Sequence, residues 1–440
     1  MGVYYITYKL NLKSANSDRN GLMKKKILTL FLCAALLFGT LSLSSCYLLD
    51  SGNLSNMLNS SNNGNQGSQN TTINVNGGDD YDITITPGAN VNTLAANKAL
   101  LSVVSVYAFF DKTSYGTTTQ YSSIGSGVIY KLDKEKGDAY ILTNYHVVST
   151  ASSTTANGVS NDITLFLYGQ EESMQYAIPA TYVGGSLQYD LAILKVEAST
   201  VLMQSSARAA DFANSDEIAV MDTVIAVGNA DSDGISATLG HVSVDSEYIA
   251  LLGADDLTEI SVRVIRSDAA VNHGNSGGGL FNDKGELVGI VNAKTGKSNV
   301  EGVGYAIPSN VAKNIAENIL YYCDGTERES VFRCILGITV QSSEFKTEYD
   351  KETGKVKKIE SVIISEVSDT SAVLDKLKVN DTILSITVDG VTQNITRRFQ
   401  AIDVLLNARP GSKVVFKVLR AGAEMSIELS ITNEMLVEYK

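Results

Sequence analysis

Between about residue 98 and residue 322 the chain is a succession of short runs rich in Val, Ile, Thr and Tyr, each cut off by Gly, Asn or Asp. Runs of that length, made of β-branched and aromatic residues, fit strands better than helices, and frequent turn residues between them favour antiparallel neighbours. The pattern predicts a mostly β fold of two packed antiparallel barrels. One stretch breaks the rule. After Pro308-Ser309-Asn310, residues Val311, Ile315 and Ile319 recur at a four-residue step, which gives a helix with one apolar face, capped by Ser309 or Asn310. The strand-like run Val104 to Phe110 serves equally as a buried first strand or as an apolar contact between copies.

The flanks differ from this middle. Lys24-Lys25-Lys26 precede an apolar run from Ile27 to about Leu43, followed by Ser44-Ser45-Cys46. A basic patch, an apolar core and small residues make a secretory signal. Leu43-Ser44-Ser45-Cys46 resembles a bacterial lipobox, which would make Cys46 a lipidation site and the anchor of an extracytoplasmic, membrane-bound protein. Met23 fits the start of such a signal, leaving residues 1–22 as a start-site misassignment. The segment 1–46 is thus read as extension and signal, and 47–97, dense in Asn, Ser, Gly and Thr, as a tether that buries too little apolar surface to fold. A chain of 440 residues leaves room for two or three domains after that. Its formal net charge of −13 argues against general binding to nucleic acid, which rests on neutralising phosphates. Gly296-Lys297-Ser298 echoes a phosphate-binding loop, but Val291 stands where that loop needs glycine, so the stretch reads as a hairpin turn. No Cys/His cluster has metal-ligand spacing, and neither metal nor cofactor is expected. Cys323 and Cys334 are placed to form a disulfide or to remain two separate thiols.

The chemistry concentrates at Gly274-Asn275-Ser276-Gly277-Gly278. A serine between residues with small side chains is open to a substrate carbonyl, and its neighbours' N–H groups can converge on the reacting oxygen. A base must then come from three histidines. His273 shares the serine's own loop, and His241 lies in a strand-like alternation. His146 follows the apolar run 139–145 and precedes Val147-Val148, which puts it at a strand end, on the rim of a cleft. Asp190 opens the apolar run 190–196. A carboxylate there is costly unless paired, and a histidine N–H would pair it and fix the tautomer that a general base needs.

The order His146, Asp190, Ser276 is that of chymotrypsin. Residues 143–148, 189–196 and 267–278 resemble the three catalytic blocks of the HtrA (Deg) family, trypsin-fold serine proteases carrying PDZ domains. Further stretches at 224–229 and 304–310 resemble that family too, and the resemblance runs from about residue 98 to 440. It implies a serine endopeptidase at 98–322, with Gly274 and Ser276 N–H groups as oxyanion hole. It also implies unfolded or misfolded protein substrates and homotrimers. Ala270 stands where trypsin-like pockets carry an acid, so cleavage after Lys or Arg is not expected; the resemblance implies small or medium aliphatic residues instead. His273 replaces the loop proline usual in the family. After a linker at 323–332, residues 333–440 resemble one PDZ domain, with Leu336-Gly337-Ile338 as the loop that receives a peptide C-terminus. Ser371 to Leu374 would be its first helix, Phe399 to Leu406 the helix lining the groove, and Asn380 a left-handed residue where the family has glycine. The alternative function is a catalytically silent chaperone or peptide-binding lipoprotein.

Overall fold

A computed structural model describes residues 90–439 apart from 115–116, 156, 172, 294–301 and 327–329. The signal, Cys46, most of the tether and the 295–298 turn lie outside the described residues. Helix α1 (Val91–Leu100) leads into strands β1 (Val103–Ser114), β2 (Thr117–Asp133) and β3 (Asp138–Thr143), and a single helical turn, α2 (Tyr145–Val148). Then come β4 (Asp162–Leu167), β5 (Ile178–Ser186), β6 (Leu191–Val196) and the short α3 (Thr200–Gln204). These six strands close into a barrel in the order β1-β2-β3-β6-β5-β4. The second barrel is built from β7 (Thr223–Gly228), β8 (Ser236–Leu252), β9 (Glu259–Ser267), β10 (Gly279–Asn282), β11 (Leu287–Asn292) and β12 (Gly304–Pro308), in the order β10-β11-β12-β9-β8-β7. Closure removes the edges that would otherwise template association.

Alternation fills the first barrel. Val104, Val106, Ala108 and Phe110 of β1 all point inward with Ile129, Ile141 and Leu194, so burial in the core accounts for the apolar run there. A fully buried aliphatic or aromatic side chain contributes roughly 1.5–3 kcal/mol. A second cluster, containing Phe281, Ile290 and Ile307, continues onto helix α4 (Ser309–Tyr322) through Val311, Ile315 and Ile319. The expected side-chain cap of α4 is absent: Pro308 is the cap residue. The Ser309 hydroxyl donates to Ala213 O at 2.8 Å and Asn310 Nδ2 to Asn214 Oδ1 at 2.7 Å, so both side chains fasten the helix to the neighbouring loop instead.

Two boundaries move. The tether expected to run to 97 ends earlier, because α1 lays the small faces of Ala95 and Ala99 on the core, Asn90 caps it, and Lys98 pairs with Asp211 at 2.8 Å. The linker expected at 323–332 also shortens. Strand β13 (Val331–Cys334) starts within it and pairs with β20 (Leu436–Tyr439), the last strand, and Val331 is buried with the second barrel. Cys323 and Cys334 are separate, buried thiols.

The C-terminal region holds β14 (Ile338–Tyr349), β15 (Val356–Val367), β16 (Thr382–Val388), β17 (Val391–Asn394), helix α5 (Arg398–Asp403), β18 (Lys413–Arg420) and β19 (Ala423–Ser430). Its sheet runs β14-β15-β16-β18-β19, with β17 on β16, so β14 is an edge. Asn380 takes the left-handed conformation expected of it, at φ +70°. The first expected helix, from Ser371, is instead a series of turns, with the Ser371 hydroxyl spent on Leu336 O at 2.6 Å. The second is α5 continued by one 3₁₀ turn, Val404–Asn407.

Ion pairs from α5, its cap and the β14–β15 turn also join the C-terminal region to the barrels. Arg397 pairs with Asp245 at 2.8 Å, Lys355 with Asp222 at 2.7 Å, and Arg263 of β9 with Asp403 at 2.8 Å.

Candidate active site

β3 ends at Thr143, and the α2 turn that follows carries His146. The β5–β6 turn ends in Asp190, which is 3% exposed and sits at φ +50°, a conformation costing a residue with a Cβ roughly 1–2 kcal/mol. Its hydrogen bonds hold it there. Asp190 Oδ2 lies 2.7 Å from His146 Nδ1, Oδ1 accepts the His146 backbone N–H at 3.0 Å, and the Asp190 carbonyl accepts Asn144 Nδ2 at 2.8 Å. The Nδ1 contact directs the other ring nitrogen away from the carboxylate, toward the cleft.

A further donor comes from the second barrel. Asn292, buried at the end of β11, donates its Nδ2 to Asp190 Oδ2 at 2.8 Å. Sequence reading passes over Asn292, since an asparagine closing an apolar strand reads as a turn. The only available signal was that an amide following five buried apolar positions must find a buried partner.

Ser276 lies on the loop before β10. The carbonyl of Ser276 accepts Ser126 N–H at 2.8 Å, and the Ser126 hydroxyl donates to Gly274 O at 2.7 Å while accepting Asn229 N–H at 2.8 Å. Asp231 N–H binds His273 O at 2.7 Å. The Asn275 N–H donates to Asn272 O at 3.2 Å and the Gly277 N–H to Val291 O at 2.9 Å. Among the described residues, neither the Gly274 nor the Ser276 N–H has an acceptor. Gly274 has φ +89°, and a Cβ built on it would stand 2.1 Å from Asn229 O. Gly277, at φ +84°, would clash with Ser126 O at 2.1 Å and Thr143 Oγ1 at 2.3 Å. That tightness seats the serine loop directly on the segment leading to His146.

His146 and Ser276 share no hydrogen bond among the described residues. The Ser276 hydroxyl oxygen instead accepts Ala293 N–H at 3.1 Å. Ala270 is exposed and brings no carboxylate; its carbonyl accepts the Thr238 hydroxyl at 2.9 Å. His273 is exposed, and His241 is half-buried on β8. Of the C-terminal candidates, Gly337 is left-handed at φ +68°, with its carbonyl bound by Ser368 N–H at 2.9 Å, and Ile338 opens the edge strand β14.

Two closed six-stranded barrels, with a His–Asp pair on one and on the other a loop serine that is only 6% exposed, define a serine endopeptidase of the trypsin-like class. A family model described as "Trypsin-like peptidase domain" matches residues 125–290. The Serine protease Do-like HtrA of Bacillus subtilis (strain 168) is 31% identical over 346 residues, covering 76% of this chain and 70% of its own length. The protein of that name from Lactococcus lactis subsp. cremoris (strain MG1363) is 34% identical over 281 residues, 57% of this chain and 64% of its own. Serine endoprotease DegS of Haemophilus influenzae is 30% identical, over 75% of this chain and 84% of its own. A solved structure titled "HtrA-type protease AlgW with tripeptide" aligns at TM-score 0.49 and 27% identity, over 79% of this chain and 98% of that one. The chain belongs to the HtrA family of serine proteases.

Proposed function

We propose that Ser276 is the nucleophile, His146 the general base and Asp190 the group that orients it. The observation carrying this is the pinned carboxylate of Asp190 against His146 Nδ1, with the serine loop packed on Thr143 and Asn144 and its Gly274 and Ser276 N–H groups without acceptors among the described residues. The Ser276 hydroxyl turns from Ala293 N–H to His146, loses its proton to the imidazole and attacks a peptide carbonyl. Asp190 stabilises the imidazolium. The oxyanion forms on the Gly274 and Ser276 N–H groups, each worth about 3 kcal/mol. His146 then hands its proton to the leaving amine, and water repeats the sequence on the acyl-enzyme. With no acid at Ala270, cleavage after Lys or Arg is not expected, and membership of the HtrA family implies small or medium aliphatic residues instead.

The substrates are unfolded or misfolded proteins outside the cytoplasm, met by an enzyme anchored at Cys46 and acting as a homotrimer. Residues 333–440 act as a PDZ domain. Support for this comes from the open edge of β14, the left-handed Gly337 and the adjacent α5, which together make a place for an added strand ending in a carboxylate at Leu336-Gly337-Ile338. A serine-reactive phosphonate, applied with and without C-terminal peptides, tests the catalytic reading. Labelling lost in Ser276→Ala supports it. No labelling under any condition leaves the silent peptide-binding protein as the better account.

A further inference from the structure

The last strand reaches the catalytic aspartate's turn. β20 is fixed along its length by β13: Tyr439 stands opposite Val331, and Val437 opposite Arg333. β13 is itself locked to α4 by Asn318, which is fully buried, donates Nδ2 to Phe332 O at 2.8 Å and accepts Phe332 N–H at 3.1 Å. At the free end of this ribbon the Tyr439 ring lies 5.8 Å from the ring of Tyr189, centroid to centroid, tilted by 48°. Arg333 also holds it, with its guanidinium 5.4 Å from the ring centroid and Nη1 3.3 Å from the phenol oxygen. Tyr189 immediately precedes Asp190.

The turn that carries both residues is short. β5 ends at Ser186 and β6 begins at Leu191. Within it the backbone is held by Tyr189 N–H on Ser186 Oγ and Asp190 N–H on Leu187 O, at the long distances of 3.4 and 3.3 Å. Asp190 sits at φ +50°, a conformation that persists only when its surroundings over-determine it. The side chain next to it is therefore a handle on its carboxylate, and the partner of that side chain is Tyr439.

Resting on the catalytic reading above, we propose that Tyr439 is a positioning residue: through Tyr189, the β13–β20 ribbon holds Asp190 in the geometry that orients His146. The ribbon's two strands bracket the whole C-terminal sheet in sequence. Any movement of that region which tugs on β20 thus reaches the active site without passing through the serine loop. Such a coupling changes kcat rather than substrate binding, because it acts through the carboxylate that orients His146.

The test uses the full chain and the substitutions Tyr439→Ala, Tyr439→Phe and, as control on the same strand, Val437→Ala, whose side chain is 44% exposed. With a short chromogenic peptide, Tyr439→Ala should lower kcat about 5- to 30-fold with KM changed less than about twofold. Loss of the oriented carboxylate should move the acid limb of the kcat profile down by about half a pH unit or more. Tyr439→Phe, which keeps the ring, and Val437→Ala should both match the parent. A readout that needs no turnover is the low-field proton NMR resonance of His146 Nδ1–H, followed against pH on the Ser276→Ala background. Its titration midpoint should fall in Tyr439→Ala and be restored in Tyr439→Phe. An unchanged midpoint overturns the proposal, as does a folded Tyr439→Ala protein with parental kcat, or a kcat loss with the acid limb unmoved. If the parent chain shows no Ser276-dependent turnover, the catalytic reading fails, and the resonance still decides whether Tyr439 positions Asp190.

Discussion

Among the aspartates held against partners, Asp190 and Asp403 are treated in opposite ways. Asp190, in the cleft, receives two N–H donors from His146 and one from Asn292. Asp403, in the seam between α5 and the second barrel, faces Arg263 at 2.8 Å, but that guanidinium also lies 3.6 Å from Asp216. Among the described residues, Asp403 Oδ2, Asp216 Oδ1, and Nε and Nη2 of Arg263 all lack a well-aligned hydrogen bond. The arginine is pressed under the Phe399 ring, 4.0 Å from its centroid. Burial first, and then the Asp216 charge, push the Asp403 carboxyl up to about 6 despite Arg263. A satisfied buried network fixes one geometry, whereas a partly satisfied one leaves a surface ready to part or take a proton.

The comparison can be broken most severely at the cleft. Asp190→Asn should keep the fold and lower kcat by about 10⁴-fold, because the amide selects the wrong imidazole tautomer; a fall of only a few-fold in peptide hydrolysis would deny Asp190 that role. Gly274→Ala forces a Cβ to 2.1 Å from Asn229 O, and the loop must move. Loss of its N–H from the oxyanion site should lower kcat about 10²- to 10³-fold with KM little changed. Asn292→Ala takes one donor from Asp190 and leaves the rest. It should lower kcat about tenfold and stability by roughly 1–3 kcal/mol, read by denaturant unfolding. The seam should show the smallest effect, and one visible mainly against pH. A raised carboxyl pKa means that Asp403 contributes stability that is present below about pH 4 and lost as pH rises through about 6. Comparing unfolding at pH 4.5 and 7, Asp403→Asn should be relatively less stabilised at the lower pH than the parent, by roughly 1–2 kcal/mol. Equal differences at both pH values would remove the contrast between the two aspartates.

The same contrast marks what was legible in the sequence. His146 and Asp190 announce themselves as polar residues bounding apolar runs, and Ser276 by its small neighbours. Asn380 is legible for the same local reason, since few side chains accept a left-handed backbone. What stayed hidden depends on distant pairing. Asn292 shows its purpose only when the second barrel closes on the first. β13 and β20 are four residues each, separated by about a hundred, and neither reads as a strand alone. Helix α1 hides in Asn- and Ala-rich sequence continuous with the tether, and only Ala95 and Ala99 against the core reveal it. The Arg263, Asp216 and Asp403 cluster joins three separate segments, none of which carries a mark of burial.

Ser126 belongs to the first barrel, yet its hydroxyl and N–H are spent on Gly274, Asn229 and Ser276 of the second. His146 and Asp190 precede the serine loop in the chain, and that loop is held by hydrogen bonds from Ser126 of the first barrel. A chain made only through the first barrel therefore carries His146 and Asp190 but not Ser276. The serine loop is thus completed only across the junction of the two barrels.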